Sequence, residues 1–175
     1  MDMGMYIFYF LSKKTNMQKT INSVEEMIKL GYELATEYNF DKVLLHGNLW
    51  AGKTHFTKWW TEWILAKTNK ACPPNGGSDE VPEGWNAYDI NSPTYNVNSP
   101  TYVYYHTYGD ILHLDMYRLA EYSDLVEKGI LDQILEHDYV AIERPRHESA
   151  YIDNKFHKIE INKIDENTRI VKIDE

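Results

Sequence analysis

Hydrophobic residues between positions 24 and 37 recur with the period of an α-helix. Ser23 and Glu26 form a capping box before them, in which the Ser23 hydroxyl accepts from the Glu26 N–H and the Glu26 carboxylate reaches back. The pattern predicts an amphipathic helix over residues 24–37 that ends near Asn39. The apolar or small residues on its single face are Val24, Met27, Ile28, Gly31, Leu34 and Ala35.

A short apolar run and a second helical stripe flank a glycine-containing turn. Residues 43–45, Val-Leu-Leu, follow a polar turn and predict a buried strand. After the turn, apolar residues spaced i, i+3, i+4, i+7 and i+8 predict a helix of about four turns that ends by residue 69. We interpret its tryptophans as packing residues rather than as a platform for base stacking. The residues of this stripe are Phe56, Trp59, Trp60, Trp63 and Ile64.

The middle of the chain lacks any period. Residues 69–91 are polar and punctuated by proline and glycine, which predicts a surface loop inserted into the domain. The sequence Asn-Ser-Pro-Thr-Tyr then occurs at residues 91–95 and again at 98–102. We interpret the first copy as loop and the second as functional, because only the second runs directly into the next strand.

The pattern in the second half of the chain predicts short strands and two short helices. Residues 102–107 and 111–117 read as a hairpin, and residues 139–143 as a strand. Between them, residues 121–128 and 130–136 read as helices split by Gly129. Residues 156–164 and 169–173 read as a closing hairpin. The length of 175 residues fits one domain.

Residues 47–54 satisfy the pattern G-x-x-x-x-G-K-[ST] between a predicted strand and a predicted helix. Such a turn aims backbone N–H groups at phosphates, and the helix N-terminus adds its dipole. Lys53 can reach the outer phosphate oxygens, and Thr54 can offer its hydroxyl to Mg²⁺. The residues predicted to bind ATP are Gly47, Asn48, Leu49, Trp50, Ala51, Gly52, Lys53, Thr54 and His55.

Residues 47–54 thus form a predicted phosphate-binding loop, or P-loop, and two apolar strands after it end in a carboxylate. A P-loop needs an acid at the tip of a neighbouring strand to complete its Mg²⁺ site. Asp115 and Glu143 both have this form, so Thr54, Asp115 and Glu143 are the predicted metal residues, and Lys53, Asp115 and Glu143 the predicted catalytic ones. The alternative is that each acid is a solvated strand end. We interpret His113 as a hydrogen-bonded core residue, with a place in the site as the alternative.

Composition narrows the possible functions. An apolar content of 43 % is enough for a core, and a net charge of −9 argues against direct binding of nucleic acid, so any RNA-related role would run through partner proteins. The single cysteine, Cys72, suits a reducing compartment. No apolar run approaches the roughly 18 residues that span a bilayer. We therefore expect a cytoplasmic protein with no membrane contact, in which residues 1–16 are a tail outside the core and Met17 is a possible start.

Four segments in order resemble one family, the TsaE (YjeE) family. They are residues 47–55, the Ser-Pro-Thr-Tyr at 99–102, the His-Leu-Asp-Met-Tyr-Arg-Leu at 113–119 and the Ile-Glu-Arg-Pro at 142–145. The resemblance implies a single α/β P-loop domain, with a mixed β-sheet flanked by helices. It also implies Mg²⁺-dependent ATP hydrolysis that supports TsaD and TsaB. That pair transfers threonylcarbamoyl to the tRNA adenosine beside the anticodon, so contact with tRNA is only indirect.

The resemblance also implies roles for single residues. Gly52 and Lys53 hold phosphates, and Thr54 binds Mg²⁺. Glu143 corresponds to a glutamate that binds the metal or activates water. Asp115 either binds the metal directly or contacts one of its ligands. Ser99 and Thr101 lie in a segment that responds to nucleotide.

The chain departs from the family pattern at the site. Trp50 stands where the family has glycine, and if that position needs a positive φ, the tryptophan costs about 1–2 kcal/mol. Asn48, His55 and Arg144 replace aspartate, threonine and tryptophan. Two alternatives follow: a nucleotide-binding interaction module with impaired hydrolysis, and a P-loop kinase of small molecules. The four arginines do not cluster in a lid-like stretch of sequence, which disfavours the kinase.

Overall fold

A computed structural model describes residues 17–68, 97–152 and 156–174, which together form a seven-stranded sheet with helices on both faces. The α/β class with a mixed sheet is therefore confirmed. The predicted tail at residues 1–16 lies outside the described residues. So do residues 69–91 of the predicted loop and the first copy of the repeat.

Four parallel strands form the centre of the sheet, and antiparallel strands extend it on both sides. In spatial order the strands run β1-β7-β6-β2-β5-β4-β3, with β6, β2, β5 and β4 parallel. The bounds are β1 Met17–Ile21, β2 Lys42–His46, β3 Tyr105–Tyr108, β4 Ile111–Asp115, β5 Tyr139–Glu143, β6 Phe156–Lys163 and β7 Arg169–Asp174.

Alternation along the strands divides the core between the two faces. In β2, Val43 and Leu45 pack with the cluster under α1 (Val24–Thr36) and α2 (Lys53–Thr68), whereas Leu44 packs with the opposite cluster. That second cluster holds residues of α3 (Tyr122–Glu127) and α4 (Ile130–Glu136). Since His113 and Asp115 share the parity of Ile111, they belong to the α1 and α2 side.

The tryptophans of α2 pack against the protein, as predicted. Trp60 has no exposed surface, and its Nε1–H donates to the Phe40 carbonyl at 2.8 Å. Gly31 allows α1 to approach, because a Cβ built there would lie 3.4 Å from the Trp60 backbone nitrogen. Glycine at this crossing therefore brings the two helices together above the sheet.

The structure differs from the predicted strands in two places. Strand β1 is absent from the predicted elements, and it pairs antiparallel with β7 over its whole length. The predicted hairpin of residues 102–117 is shorter, with strands only at Tyr105–Tyr108 and Ile111–Asp115. The Asp115 carboxylate accepts from the Tyr117 N–H at 3.0 Å and caps a 3-10 helix at Met116–Arg118, which ends the strand early. The other predicted helices and strands match to within a residue or two.

Candidate functional site

The turn between β2 and α2 has a backbone that depends on glycine. Gly47 has φ +142°, and a Cβ there would lie 2.3 Å from the Ile161 carbonyl oxygen, so a side chain cannot fit. Gly52 has φ +107°. Helix α2 begins at Lys53, which leaves its first N–H groups at the turn. The loop thus has the form of an anion cradle at a helix N-terminus.

Trp50 takes the left-handed conformation that its family position suggested. Its φ is 63°, and its side chain is 79 % exposed at the border of the cleft described below. A residue with a Cβ pays about 1–2 kcal/mol for this region. The indole buries little surface in return, so the loop keeps its shape at a cost to stability.

Lys53 is buried beneath the turn. Its Nζ donates to the carbonyl oxygens of Gly47 and Asn48, both at 2.8 Å, and the residue is only 5 % exposed. Burial lowers the pKa of Lys53; the Arg144 guanidinium adds to this effect, while the carboxylates of Glu143 and Asp115 oppose it. The ammonium therefore lies within electrostatic reach of both predicted acids.

Glu143 joins the P-loop to the interior of the sheet. Its Oε2 accepts from the Thr54 hydroxyl at 3.1 Å, and its Oε1 lies 2.9 Å from Nε2 of His113. Glu143 is 3 % exposed and His113 is fully buried. Because an ionised carboxylate only accepts hydrogen bonds, Nε2 carries the proton when Glu143 is ionised. His113 is therefore a hydrogen-bonded core residue, as predicted; it does not line the cleft described below, but it contacts Glu143, which does.

Asp115 is surrounded by donors. Its Oδ1 accepts from Nε of Arg144 at 2.9 Å and from the Tyr117 N–H at 3.0 Å. Its Oδ2 accepts from the Thr101 hydroxyl at 2.5 Å and from Nη2 of Arg144. Burial acts to raise the pKa of Asp115, but the hydrogen bonds from Arg144, Thr101 and Tyr117 outweigh it and hold the pKa below its ordinary value.

Arg144 contributes a contact that the sequence analysis missed. In the sequence, Arg144 stands out only as a departure from the family pattern. In the structure it forms a two-pronged ion pair with Asp115, and its Cζ lies 4.2 Å from the centroid of the Tyr117 ring. Its backbone is also left-handed, with φ 53°. A signal was present in the sequence: Arg144 directly follows a strand end, and Asp115 ends another predicted strand.

A cleft of about 1300 Å³ opens above these residues. Most of the predicted ATP-binding residues line it, together with Ser99, Thr101 and Glu143. Two predicted residues do not. Ala51 is fully buried in the core, and Asp115, only 1 % exposed, is bonded to Thr101 and Arg144, which do line the cleft.

The oxygen atoms of Thr54 and Glu143 fit magnesium. Mg²⁺ prefers oxygen ligands and is usually held by one or two protein groups together with phosphates and water. Among residues 17–68, 97–152 and 156–174, no three His, Cys, Asp or Glu side chains form a cage for a metal ion. A hydroxyl and a carboxylate beside a phosphate cradle match that pattern. Asp115 fits less well, because binding the metal directly would require its carboxylate to give up hydrogen bonds that it already accepts.

A parallel strand leads through a glycine turn into a helix, and a strand beside it ends in a carboxylate. This arrangement defines a P-loop nucleotide-binding protein. Residues 83–171 match the family model "Threonylcarbamoyl adenosine biosynthesis protein TsaE", which is slightly more than half of the 175 residues. The chain belongs to the TsaE family, and the predicted resemblance is confirmed.

A solved structure shows the same fold. The crystal structure of Bacillus subtilis YdiB is 17 % identical, with a TM-score of 0.55, and the match covers 93 % of this chain and 86 % of that chain. A search of curated protein sequences found no match. Among the described helices, none combines the length and the apolar character needed to cross a membrane.

The matched segment begins after the P-loop. It includes Asp115 and Glu143, but residues 47–54 precede it. Family membership therefore depends on the second half of the chain, whereas the nucleotide cradle depends on the sequence motif and on the geometry of Gly47, Gly52 and Lys53. The contact between Thr54 and Glu143 joins the two halves.

Proposed function

We propose that this protein is a Mg²⁺-dependent ATPase that supports threonylcarbamoyl modification of the tRNA adenosine beside the anticodon, together with homologues of TsaD and TsaB. One observation carries the proposal: Oγ1 of Thr54, at the start of the P-loop helix, lies 3.1 Å from Oε2 of Glu143, inside the segment that matches the family. Membership of the TsaE family supplies the biological process.

We propose that the loop and Lys53 bind the phosphates. The backbone N–H groups at the start of α2 would bind the inner phosphates. Lys53 now donates to two carbonyls of its own loop, and a bound triphosphate would offer stronger, charged acceptors at the same place. Rotation of this one side chain would then replace internal bonds with bonds to the nucleotide.

Thr54 and Glu143 are the residues that would hold magnesium. When bound, the ion neutralises charge on the outer phosphates during transfer. Glu143 enters the site already oriented, because the His113 N–H holds its Oε1 and leaves Oε2 toward Thr54. The same carboxylate could instead accept a proton from the attacking water, the other role that the family resemblance implies.

We infer the partners and the location from charge and family membership. With a net charge of −9, the chain has little attraction for tRNA, so we propose that contact with tRNA runs through the TsaD and TsaB homologues. We also propose that the protein lies in the cytoplasm.

The test is an assay of phosphate release from ATP with and without the TsaB–TsaD pair. We expect turnover with the pair, lost in Lys53→Ala and kept in Lys58→Ala, which removes a lysine that contacts Trp59 on the same helix. Mg-ATP at a hundredfold excess over Kd should stabilise the wild type by about 2.7 kcal/mol and so raise its melting temperature. It should not raise the melting temperature of Lys53→Ala. Equal thermal shifts in the two proteins would refute the pocket. Binding without release, even with both partners, would instead favour a nucleotide-binding module with impaired hydrolysis.

A small-molecule kinase stays the second candidate for one reason. The cleft is lined by three arginines that do not form a lid-like stretch of sequence but could bind a phosphorylated acceptor: Arg144, Arg146 and Arg169. ATP labelled on the terminal phosphate separates the two functions. Label recovered as inorganic phosphate supports the ATPase, whereas label recovered in an organic product of a metabolite mixture supports the kinase.

A further inference from the structure

We propose that Arg144 is a cis-acting arginine that contacts the terminal phosphate of a bound nucleoside triphosphate, and that Asp115 is the positioning residue that holds it there. Arg144 would thus make this site discriminate triphosphate from diphosphate. The inference rests on the proposed nucleotide site, but it assigns a role that neither the P-loop nor the metal residues supply.

The guanidinium is fixed along one edge only. Nε donates to Oδ1 of Asp115 at 2.9 Å, and Nη2 donates to Oδ2 of Asp115 and to the Thr101 hydroxyl, the latter at 3.0 Å. Within the described part of the chain, Nη1 makes no hydrogen bond. The side chain is 19 % exposed, and the residue lines the cleft. An arginine held by one edge has its remaining donors available to a planar or tetrahedral anion.

The group that holds the arginine is itself rigid. Asp115 is 1 % exposed, and its two oxygens accept from Arg144, Thr101 and the Tyr117 N–H. Thr101 is in turn 2.8 Å from the Ser99 hydroxyl. A carboxylate with each oxygen already bonded to two donors is suited to hold an arginine and poorly suited to bind a metal directly.

The backbone of Arg144 directs the side chain across the sheet edge. Its N–H donates to the Leu45 carbonyl at 3.0 Å, and its φ of 53° lies in a region that L residues seldom adopt. Tyr117 packs against the guanidinium, with the ring centroid 4.2 Å from Cζ. Main chain, carboxylate and ring together leave the guanidinium little freedom before a ligand binds.

Lys53 and Arg144 both line the cleft. Lys53 lies under the P-loop and Arg144 follows the end of the adjacent strand, and the charge of Arg144 is close enough to lower the pKa of Lys53. An anion between two like charges is attracted to both. The loop itself accounts for the inner phosphates, so the outermost phosphate is the group that can extend toward Arg144.

The experiment compares the affinities of ADP and of a non-hydrolysable ATP analogue by calorimetry in the presence of Mg²⁺. In the wild type we expect the analogue to bind at least about tenfold more tightly. In Arg144→Gln we expect Kd for ADP to stay within about threefold, and the preference for the analogue to fall by about ten- to a hundredfold. Arg118→Gln makes the same substitution at an arginine outside the cleft lining, and it should keep the wild-type preference.

A double variant guards against misfolding. Arg144→Gln leaves the buried Asp115 without its counter-ion, whereas Asp115→Asn with Arg144→Gln removes both charges. The double variant should unfold in urea as cooperatively as the wild type, and it should lack the preference for the analogue over ADP. An unchanged preference in either variant would overturn the role of Arg144 while leaving the nucleotide site intact. Failure of wild-type protein to bind ADP and the analogue alike would overturn the proposed function, and this inference with it.

Discussion

Thr54 and Glu143 are 89 residues apart in sequence, yet Oγ1 of one lies 3.1 Å from Oε2 of the other. The contact exists because β2 and β5 are parallel neighbours, with Leu45 in register with Glu143. Parallel strands present their carboxyl ends at one edge of a sheet, so the loop after β2 and the acid that ends β5 necessarily meet there. The hydroxyl and the carboxylate are therefore positioned by the sheet, not by the loops alone.

Glu143→Gln should separate turnover from binding. Glutamine keeps the size of the side chain but removes the negative charge and the basic oxygen. We expect kcat to fall by about a hundredfold or more, and Kd for ATP to change by less than about threefold. Steady-state phosphate release and calorimetry measure the two quantities. Glu160→Gln, at an exposed position of β6, is the control. If Glu143→Gln lost ATP binding and turnover to the same extent, so that turnover per bound ATP stayed constant, the catalytic role of Glu143 would be wrong.

His113→Phe should destabilise the protein and impair catalysis together. The phenyl ring fills similar space but cannot donate to Oε1 of Glu143, which leaves that buried oxygen short of a partner. We expect the free energy of unfolding in urea to fall by about 1–3 kcal/mol, with a lower kcat. The matched control is His106→Phe, since His106 is paired with His113 across β3 and β4. Equal losses in the two variants would show that the contact with Glu143 has no special weight.

Trp50→Gly and Trp50→Ala should differ in stability. Both remove an exposed indole, but only glycine is free of the cost of a positive φ at this position. After allowance for the greater entropy of glycine in the unfolded chain, we expect Trp50→Gly to be more stable than Trp50→Ala by about 1 kcal/mol. Urea unfolding measures the difference. Identical midpoints would mean that the loop does not hold residue 50 in the left-handed region in solution.

Asp115 should make the stability of the protein depend on acid. Its pKa is lowered in the folded state, because hydrogen bonds from Arg144, Thr101 and Tyr117 outweigh the opposing effect of burial. The unfolded chain therefore binds a proton first as the pH falls. The stabilisation is complete above the unfolded value of about 3.9 and is lost as the pH falls toward the folded pKa.

The measurement for Asp115 compares the wild type with the double variant Asp115→Asn, Arg144→Gln by urea unfolding. We expect the stability of the wild type to fall more steeply than that of the variant from about pH 5 to about pH 3. Parallel curves over this window would show that the Asp115 pKa is the same in the folded and unfolded states.

Local patterns predicted the elements that carry their own chemistry. The motif at residues 47–54 needs only a strand before it and a helix after it, and the structure has both. The ends of the strands at Asp115 and Glu143 could also be predicted, because each acid directly follows an apolar run. Their assignment to one site stays a prediction about function, although the sheet brings Glu143 to the P-loop.

The sequence by itself determined the glycine turn and the two amphipathic helices beside it, because glycine spacing and a period of 3.6 are local properties, and the family resemblance added the α/β class. Only the tertiary structure decided that β1 joins the sheet, since Met17–Ile21 becomes a strand through its pairing with β7. It also decided that Arg144 turns back onto Asp115. That contact depends on the order and register of strands distant in sequence, together with a left-handed residue, and no local pattern encodes these.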